Sequence, residues 1–215
     1  RKIFGLGGSV GQRAVEMLRR RGMVQDHTEC KFIEEEGATT AIAAYAGFDP
    51  TGGRLHVGHL PLLMTLCTLH QNGVRPIALV GGATASIGDP SGRSTERPMI
   101  DTSEIENNAT GIQRDIQEVW DGYEGWADRT GAKAPSTSGT LELVNNQDWY
   151  RGMHLLQFMH STARYMGVTG MLERESVRNR LESDSGISLL EFMYQAFQAY
   201  DFWHLYCSRH CRLQV

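Results

Sequence analysis

The chain has 215 residues, 40% hydrophobic and 21% charged, with a formal net charge of −4 and a pI near 6.1. It can bury one sizeable core, at most one domain plus an insertion, and its slightly acidic balance excludes a generally basic surface for nucleic acid. No apolar run approaches the roughly 20 residues of a membrane span, because Glu, Asp or Arg interrupts each candidate helix.

The first predicted element is a helix from about Gln12 to Arg21, leading through Gly22 to Val24. Ala41 to Phe48 is small and apolar, as expected of a strand buried in a parallel sheet, and Asp49-Pro50-Thr51-Gly52-Gly53 breaks it. From Gly58 to His70, Leu60, Leu62, Leu63, Leu66 and Leu69 recur at helical spacing, which places His56 and His59 at or just before a helix N-terminus. Free backbone N–H groups and the positive dipole end attract a phosphate there, and two imidazoles three residues apart add hydrogen bonds to its oxygens. Gly58 would let a nucleotide approach the backbone. Two histidines at a helix start are also common as ordinary capping residues, so their context has to decide.

Arg75 to Val80 reads as a second strand, followed by glycine-rich Gly81-Gly82 and Gly88 to Gly92. Arg93 and Arg97 just beyond could bind phosphate, or be ordinary arginines of a solvated loop. Ser103-x-x-Glu106 has the form of a capping box, opening a helix marked by Ile105, Ile112, Ile116 and Val119. Residues 122–139 are polar and glycine-rich and read as a surface insertion without nameable chemistry. Leu141 to Asn145 returns as a strand that Asn146-Gln147-Asp148-Trp149 ends, before helical stretches Met153 to Met166 and Met171 to Leu181. There Leu155, Leu156, Phe158 and Met159 suit an interface and a core face equally.

Leu189 to Tyr206 is an apolar helix on which Tyr194, Gln198 and Asp201, spaced four and three apart, share one face. A phenol, an amide and a carboxylate on a buried stripe are costly unless they meet polar partners, either a ligand or one another. His204, Cys207, His210 and Cys211 are zinc-ligand residue types in a compact cluster, but Cys211 to Val215 reads instead as the next buried strand, and no metal site is expected. Cys30, Cys67, Cys207 and Cys211 are too few and too scattered for a disulfide framework, which fits a reducing compartment. The alternation of strands and helices predicts an α/β fold, a doubly wound parallel sheet with ligands at the carboxyl ends of its strands.

Tyr45-Ala-Gly-Phe-Asp-Pro-Thr51 with His56-Val-Gly-His59 resembles the first signature of class I aminoacyl-tRNA synthetases, whose tetrapeptide reads His-Ile-Gly-His. With Arg75 to Thr84, Ile87-Gly-Asp-Pro-Ser-Gly92 and the terminal Cys-Arg-Leu-Gln-Val, the chain from about Ala14 onward looks like the catalytic part of bacterial and organellar tyrosyl-tRNA synthetases. The resemblance implies a Rossmann-like domain that activates L-tyrosine with ATP and Mg²⁺ and passes it to tRNA(Tyr). It implies a homodimer formed through residues near 150–182, with no membrane partner.

By the same resemblance, Thr51, His56 and His59 act on the phosphates, and Gly47, Asp49, Gly58, Arg93 and Arg97 hold ATP or the adenylate. Tyr45 meets the tyrosine ring end and Asp201 its hydroxyl, while Asp89, Tyr194 and Gln198 hold its ammonium group. Residues 1–13, glycine-containing and free of acidic side chains, form an extension relative to bacterial relatives. They suggest a targeting remnant and a mitochondrial matrix or other organellar location, with the cytoplasm for a bacterial chain. The family continues beyond Gln214-Val215 into a lysine-bearing loop and an anticodon-binding domain, so a partial catalytic domain is expected. A synthetase-derived structural or RNA-binding subunit is the alternative, and a small-molecule nucleotidyltransferase of the same superfold would leave the Tyr194 stripe unexplained.

Overall fold

The computed structural model describes residues 10–25, 42–91, 95 and 100–215. Four parallel strands form one sheet in the order β3-β2-β1-β4: β1 (Ala43–Phe48), β2 (Arg75–Val80), β3 (Glu142–Asn145) and β4 (Cys211–Gln214). Around it lie α1 (Val10–Arg20), α2 (Leu60–Gln71), α3 (Thr102–Thr130), α4 (Gln147–Tyr150), α5 (Leu155–Ser161), α6 (Val168–Leu172), α7 (Glu175–Leu181) and α8 (Leu189–Arg209). Each parallel pairing requires a crossover, and the apolar strands are shielded on both faces, as a parallel sheet needs.

The alternation of side chains along β1 sorts the core into two layers. Ala46 and Phe48, with Ala78 and Val80 of β2, pack with Leu63 and Leu66 of α2 and with Ile112, Ile116 and Trp120 of α3. Ala43 and Tyr45, with Ile77 and Leu79, face the other way and meet Leu205 of α8 and Cys211. Full burial of each such Leu, Ile or Phe contributes roughly 1.5–3 kcal/mol, so this two-sided packing holds the strand ends in place. The doubly wound parallel sheet expected from the sequence is therefore what forms.

Several local expectations need correction. The N-cap of α3 is Asp101, whose side chain accepts from the Ser103 amide at 3.1 Å, so Ser103 lies inside the first turn and does not open a capping box. Part of the stretch expected as a surface insertion is helical: α3 runs 29 residues to Thr130 and stops at Gly131 in a left-handed C-cap. Trp120 is 1% exposed and packs at a tilt against His70 and edge-on against Tyr123, and that packing outweighs the helix-weakening Gly122 and Gly125. The stretches read as two continuous helices are broken into α5, a 3₁₀ turn at Ala163–Tyr165, α6 and α7. Cys67, Cys207 and Cys211 are free thiols. Among the described residues no helix is long and apolar enough to cross a membrane.

Candidate active site

The carboxyl ends of β1, β2 and β4 open into a cavity of about 350 Å³, whose lining includes Phe48, Asp49, Gly81, Gln214 and Val215. Of the residues singled out from the sequence, Tyr45, Gly47, Asp49, Thr51, His56, His59, Asp89, Tyr194, Gln198 and Asp201 all line it. Arg93 and Arg97 lie outside the described residues.

At one end, the loop after β1 delivers two histidines. His56 caps the 3₁₀ turn Val57–His59: its Nδ1 accepts from the Gly58 amide at 3.1 Å, and its own amide donates to His59 Nδ1 at 3.1 Å. A ring nitrogen that accepts a backbone hydrogen carries no proton, so both imidazoles hold theirs on Nε2. The rings lie 4.0 Å apart, and burial, then the neighbouring His56, pull the His59 pKa below its ordinary value. His59 is therefore neutral at pH 7, presenting an Nε2–H donor beside the start of α2. Gly58 is not among the residues lining the cavity, and its lack of a side chain serves the neighbouring histidine. A Cβ there would come within 2.9 Å of the His56 ring, so glycine is what lets that ring fold back as a cap.

At the other end lies a buried polar network. Asp201, 2% exposed on α8, accepts from Tyr150 Oη and Trp149 Nε1 at 2.9 Å each and from Asn146 Nδ2 at 3.0 Å. Burial pushes its carboxyl up to about 6, against these three donors, which favour the ionised form. Asn146, fully buried, also donates to Thr84 Oγ1 at 3.1 Å, and Thr84 donates to Asp49 Oδ1 at 2.8 Å. Tyr194 Oη closes the series on Asp49 Oδ2 at 2.8 Å. The hydroxyl of Tyr45, a residue 2% exposed, has no hydrogen-bond partner among the described residues. A buried hydroxyl so placed costs on the order of 1–3 kcal/mol unless something polar reaches it, which marks the cavity floor as built for a polar group. Asp89 holds the Ser91 amide at 2.8 Å, and Gln198 is exposed at the cavity.

Sequence reading missed Thr84, Asn146, Trp149 and Tyr150, which carry the network. Asn146 had a usable signal, since a polar residue just past the carboxyl end of a central strand is where such sheets place ligands. Cys211 is buried at the start of β4 and His204 stacks on Trp149, so the nominal zinc cluster is taken up by packing. No group of three or more His, Cys, Asp or Glu among the described residues is arranged to hold a metal ion. The arrangement offers hydrogen-bond donors for an anion at one end, and acceptors for a hydroxyl and a cation at the other.

Residues 37–213 match the profile of the family described as tRNA synthetases class I (W and Y). The chain belongs to this family. It is 41% identical over 201 residues to a tyrosine–tRNA ligase of Desulfosudis oleivorans, covering 94% of this chain and 43% of that protein. Over 173 residues it is 46% identical to the mitochondrial tyrosine–tRNA ligase of Drosophila melanogaster, covering 80% of this chain and 37% of the relative. The chain thus spans less than half the length of these curated relatives. Among solved structures, a C-terminally truncated mitochondrial tyrosyl-tRNA synthetase of Aspergillus nidulans superposes with a TM-score of 0.84 at 30% identity, over 94% of this chain and 56% of that one. Bacterial, mitochondrial and chloroplastic relatives all match this synthetase catalytic portion.

Proposed function

We propose that this chain is the tyrosine-activating part of a tyrosine–tRNA ligase. The tyrosine carboxylate attacks the α-phosphorus of ATP in line, the bond to pyrophosphate breaks, and tyrosyl-adenylate forms; the tyrosyl group then passes to the terminal adenosine of tRNA(Tyr). The observation that carries the reading is the pairing of a buried Asp201 and an unpartnered Tyr45 hydroxyl at one end with two Nε2–H imidazoles at the other. Such a floor would accept and donate to a phenol, and phenylalanine would leave the Tyr45 hydroxyl unpaired and one acceptor position of Asp201 unused.

Asp89, the Tyr194 hydroxyl and Gln198 would hold the substrate ammonium, and Asp49, which accepts from that hydroxyl, would hold the nucleotide or adenylate. Gly47, exposed and with no atom within 4 Å of a Cβ built on it, leaves room for the adenylate. Thr51, His56 and His59 would donate to phosphate oxygens as charge builds in the transition state, so catalysis is positioning plus charge stabilisation. Arg93 and Arg97 are proposed, from the resemblance, to meet the pyrophosphate side. Mg²⁺ would arrive with ATP as part of the substrate and neutralise the leaving group.

A homodimer is supported by the exposed apolar side chains Leu155, Leu156, Tyr165 and Val168 on α5, α6 and the turn between them. The 46% identity to a mitochondrial relative supports an organellar home. Tyrosine-dependent exchange of labelled pyrophosphate into ATP, by the protein at the length its source makes it, tests the activity. Exchange with tyrosine and not with phenylalanine is expected, and no exchange from folded protein would overturn the reading.

A further inference from the structure

Residues 49–56, which carry Thr51 and lead to His56, contain no strand or α-helix, so their backbone groups must find partners elsewhere. Two of these groups find them on α3. Asn108, Gly111 and Asp115 stand at i, i+3 and i+7, which places all three on one face of that helix. Asn108 Nδ2 donates to the Pro50 carbonyl at 3.3 Å. Gly111 lies so close beneath the segment that a Cβ there would sit 2.2 Å from the Gly53 carbonyl oxygen. Asp115 Oδ2 accepts from the Leu55 amide at 3.0 Å and from Arg54 Nε at 2.8 Å.

We infer that Asp115 is a positioning residue for the phosphate end of the site, acting through the Leu55 amide to set the direction of the His56 and His59 rings. His56 follows Leu55 directly, its amide feeds His59 Nδ1, and its ring caps Gly58. Asp115 thus pins the peptide between residues 54 and 55, and once that peptide is released the next one, which carries the His56 amide, can turn and misdirect both imidazoles together. The Arg54 contact is secondary: its side chain is 72% exposed while that of Asp115 is 8% exposed, and an ion pair open to water on one side contributes little. The tyrosine end has separate supports, since Asp201 is held by Asn146, Trp149 and Tyr150. Loss of Asp115 should thus be felt in the step that engages phosphate and not in tyrosine binding.

This inference rests on the activation reading above, and its test keeps the two apart. Single-turnover adenylate formation at saturating tyrosine, tyrosine dissociation constants and melting temperatures are measured for the wild type and for Asp115→Ala, Asp115→Asn and Arg54→Ala. Because a misplacement of about 1 Å can cost about a hundredfold in rate, Asp115→Ala is expected to lose between about tenfold and a hundredfold in the adenylate step. Its tyrosine dissociation constant should stay within about twofold, since the supports of Asp201 are untouched. Asp115→Asn keeps an oxygen for the Leu55 amide and should recover most of the rate, and Arg54→Ala should resemble the wild type.

Equal losses in rate and tyrosine affinity, no recovery in Asp115→Asn, or an unchanged rate in Asp115→Ala would each overturn the positioning role. Should Asp115→Ala fold poorly, Gly111→Ala, which pushes the Gly53 carbonyl from the other side, must reproduce the selective rate loss or the inference falls. A wild type that performs no exchange would instead sink the activation reading, and this inference with it.

Discussion

Asn146 and Asp201 are joined by a hydrogen bond of 3.0 Å across 55 positions of sequence, tying the end of β3 to the middle of α8. Through Thr84 and Asp49 the same amide reaches Tyr194, so one connected network spans the floor of the cavity. Hydrogen bonds to a charged group contribute roughly 1.5–3 kcal/mol, and a network member removed leaves its neighbours under-satisfied. Asn146→Ala should therefore weaken tyrosine binding by roughly ten- to a hundredfold. It should also raise the Asp201 pKa further, because one of the bonds that favour the carboxylate is gone. Binding isotherms across pH check both effects; an unmoved midpoint would show that Asn146 does not tune Asp201.

The raised Asp201 pKa predicts how tyrosine binding follows pH. Burial lifts the carboxyl from 3.8 to about 6, so below about 6 it carries a proton and loses its ability to accept a phenol hydroxyl. A bound hydroxyl favours the ionised form, so affinity should rise as pH rises through about 6 and then level off. Stability of the unliganded fold runs the opposite way. A carboxyl whose folded pKa is raised contributes fully below its unfolded value of 3.8, and that contribution is lost as pH rises through about 6. Asp201→Asn should flatten both dependences and bind weakly at every pH; a profile that Asp201→Asn leaves unchanged would assign the titration to another group.

The two histidines should behave as one unit. Each ring accepts a hydrogen bond that the other's backbone segment donates, and the rings touch at 4.0 Å. Replacing either by alanine should slow adenylate formation by about 10²-fold, the scale for removing one donor to a developing charge. The double variant should lose less than the product of the two single losses, since each removal already disturbs the partner. Tyrosine affinity should stay within about twofold, because the hydroxyl and ammonium ends are elsewhere. A strictly multiplicative double variant would mean that the two rings act separately.

The reach of sequence reading into this structure followed the distance between partners. His56, His59 and Asp49 were legible because a strand, a break and a helix start lie within fifteen residues, and the apolar spacing after Leu60 is unmistakably helical. Tyr194 and Asp201 were legible as a polar stripe on an apolar helix, although the pairing of Tyr194 with Asp49 and of Asp201 with Asn146 was not. Asn146 and Asp115 look like ordinary polar residues in sequence, since what they do depends on groups 55 and 60 positions away. The same reason hid the second half of α3: Gly122 and Gly125 argue locally against helix, and the packing of Trp120 against His70, fifty positions earlier, overrides them.

The exposed apolar strip predicts the assembly state. Leu155 is 74% exposed, Leu156 71%, Tyr165 75% and Val168 59%, so four large apolar side chains close in sequence are open to solvent, the kind of surface that marks an interface. Leu155→Asp with Leu156→Asp would set two carboxylates into the apolar part of a self-complementary interface, where unpaired charge is costly. Sedimentation should show the wild type as a dimer and the double variant as a monomer at the same concentration. Identical masses would remove this strip from the interface.

Arg180 and Glu191 predict a stability effect with a clear sign. Their side chains are 1% and 4% exposed, and the guanidinium meets the carboxylate through Nε at 2.9 Å and Nη2 at 3.0 Å, with Ser183 and Ser185 on Nη1. Removing one member of a buried pair leaves the other charge uncompensated, which costs about 3–5 kcal/mol, whereas replacing both by apolar groups of similar volume can be neutral. Arg180→Met should lower the unfolding free energy measured by urea titration by that amount, and Arg180→Met with Glu191→Leu should recover most of it. Glu191 lies one helical turn before Tyr194, so the single variant should also weaken tyrosine binding through the first turns of α8. A loss in Arg180→Met below about 1 kcal/mol, the ceiling for exposed pairs, would mean that water reaches the pair and that it does not anchor α8.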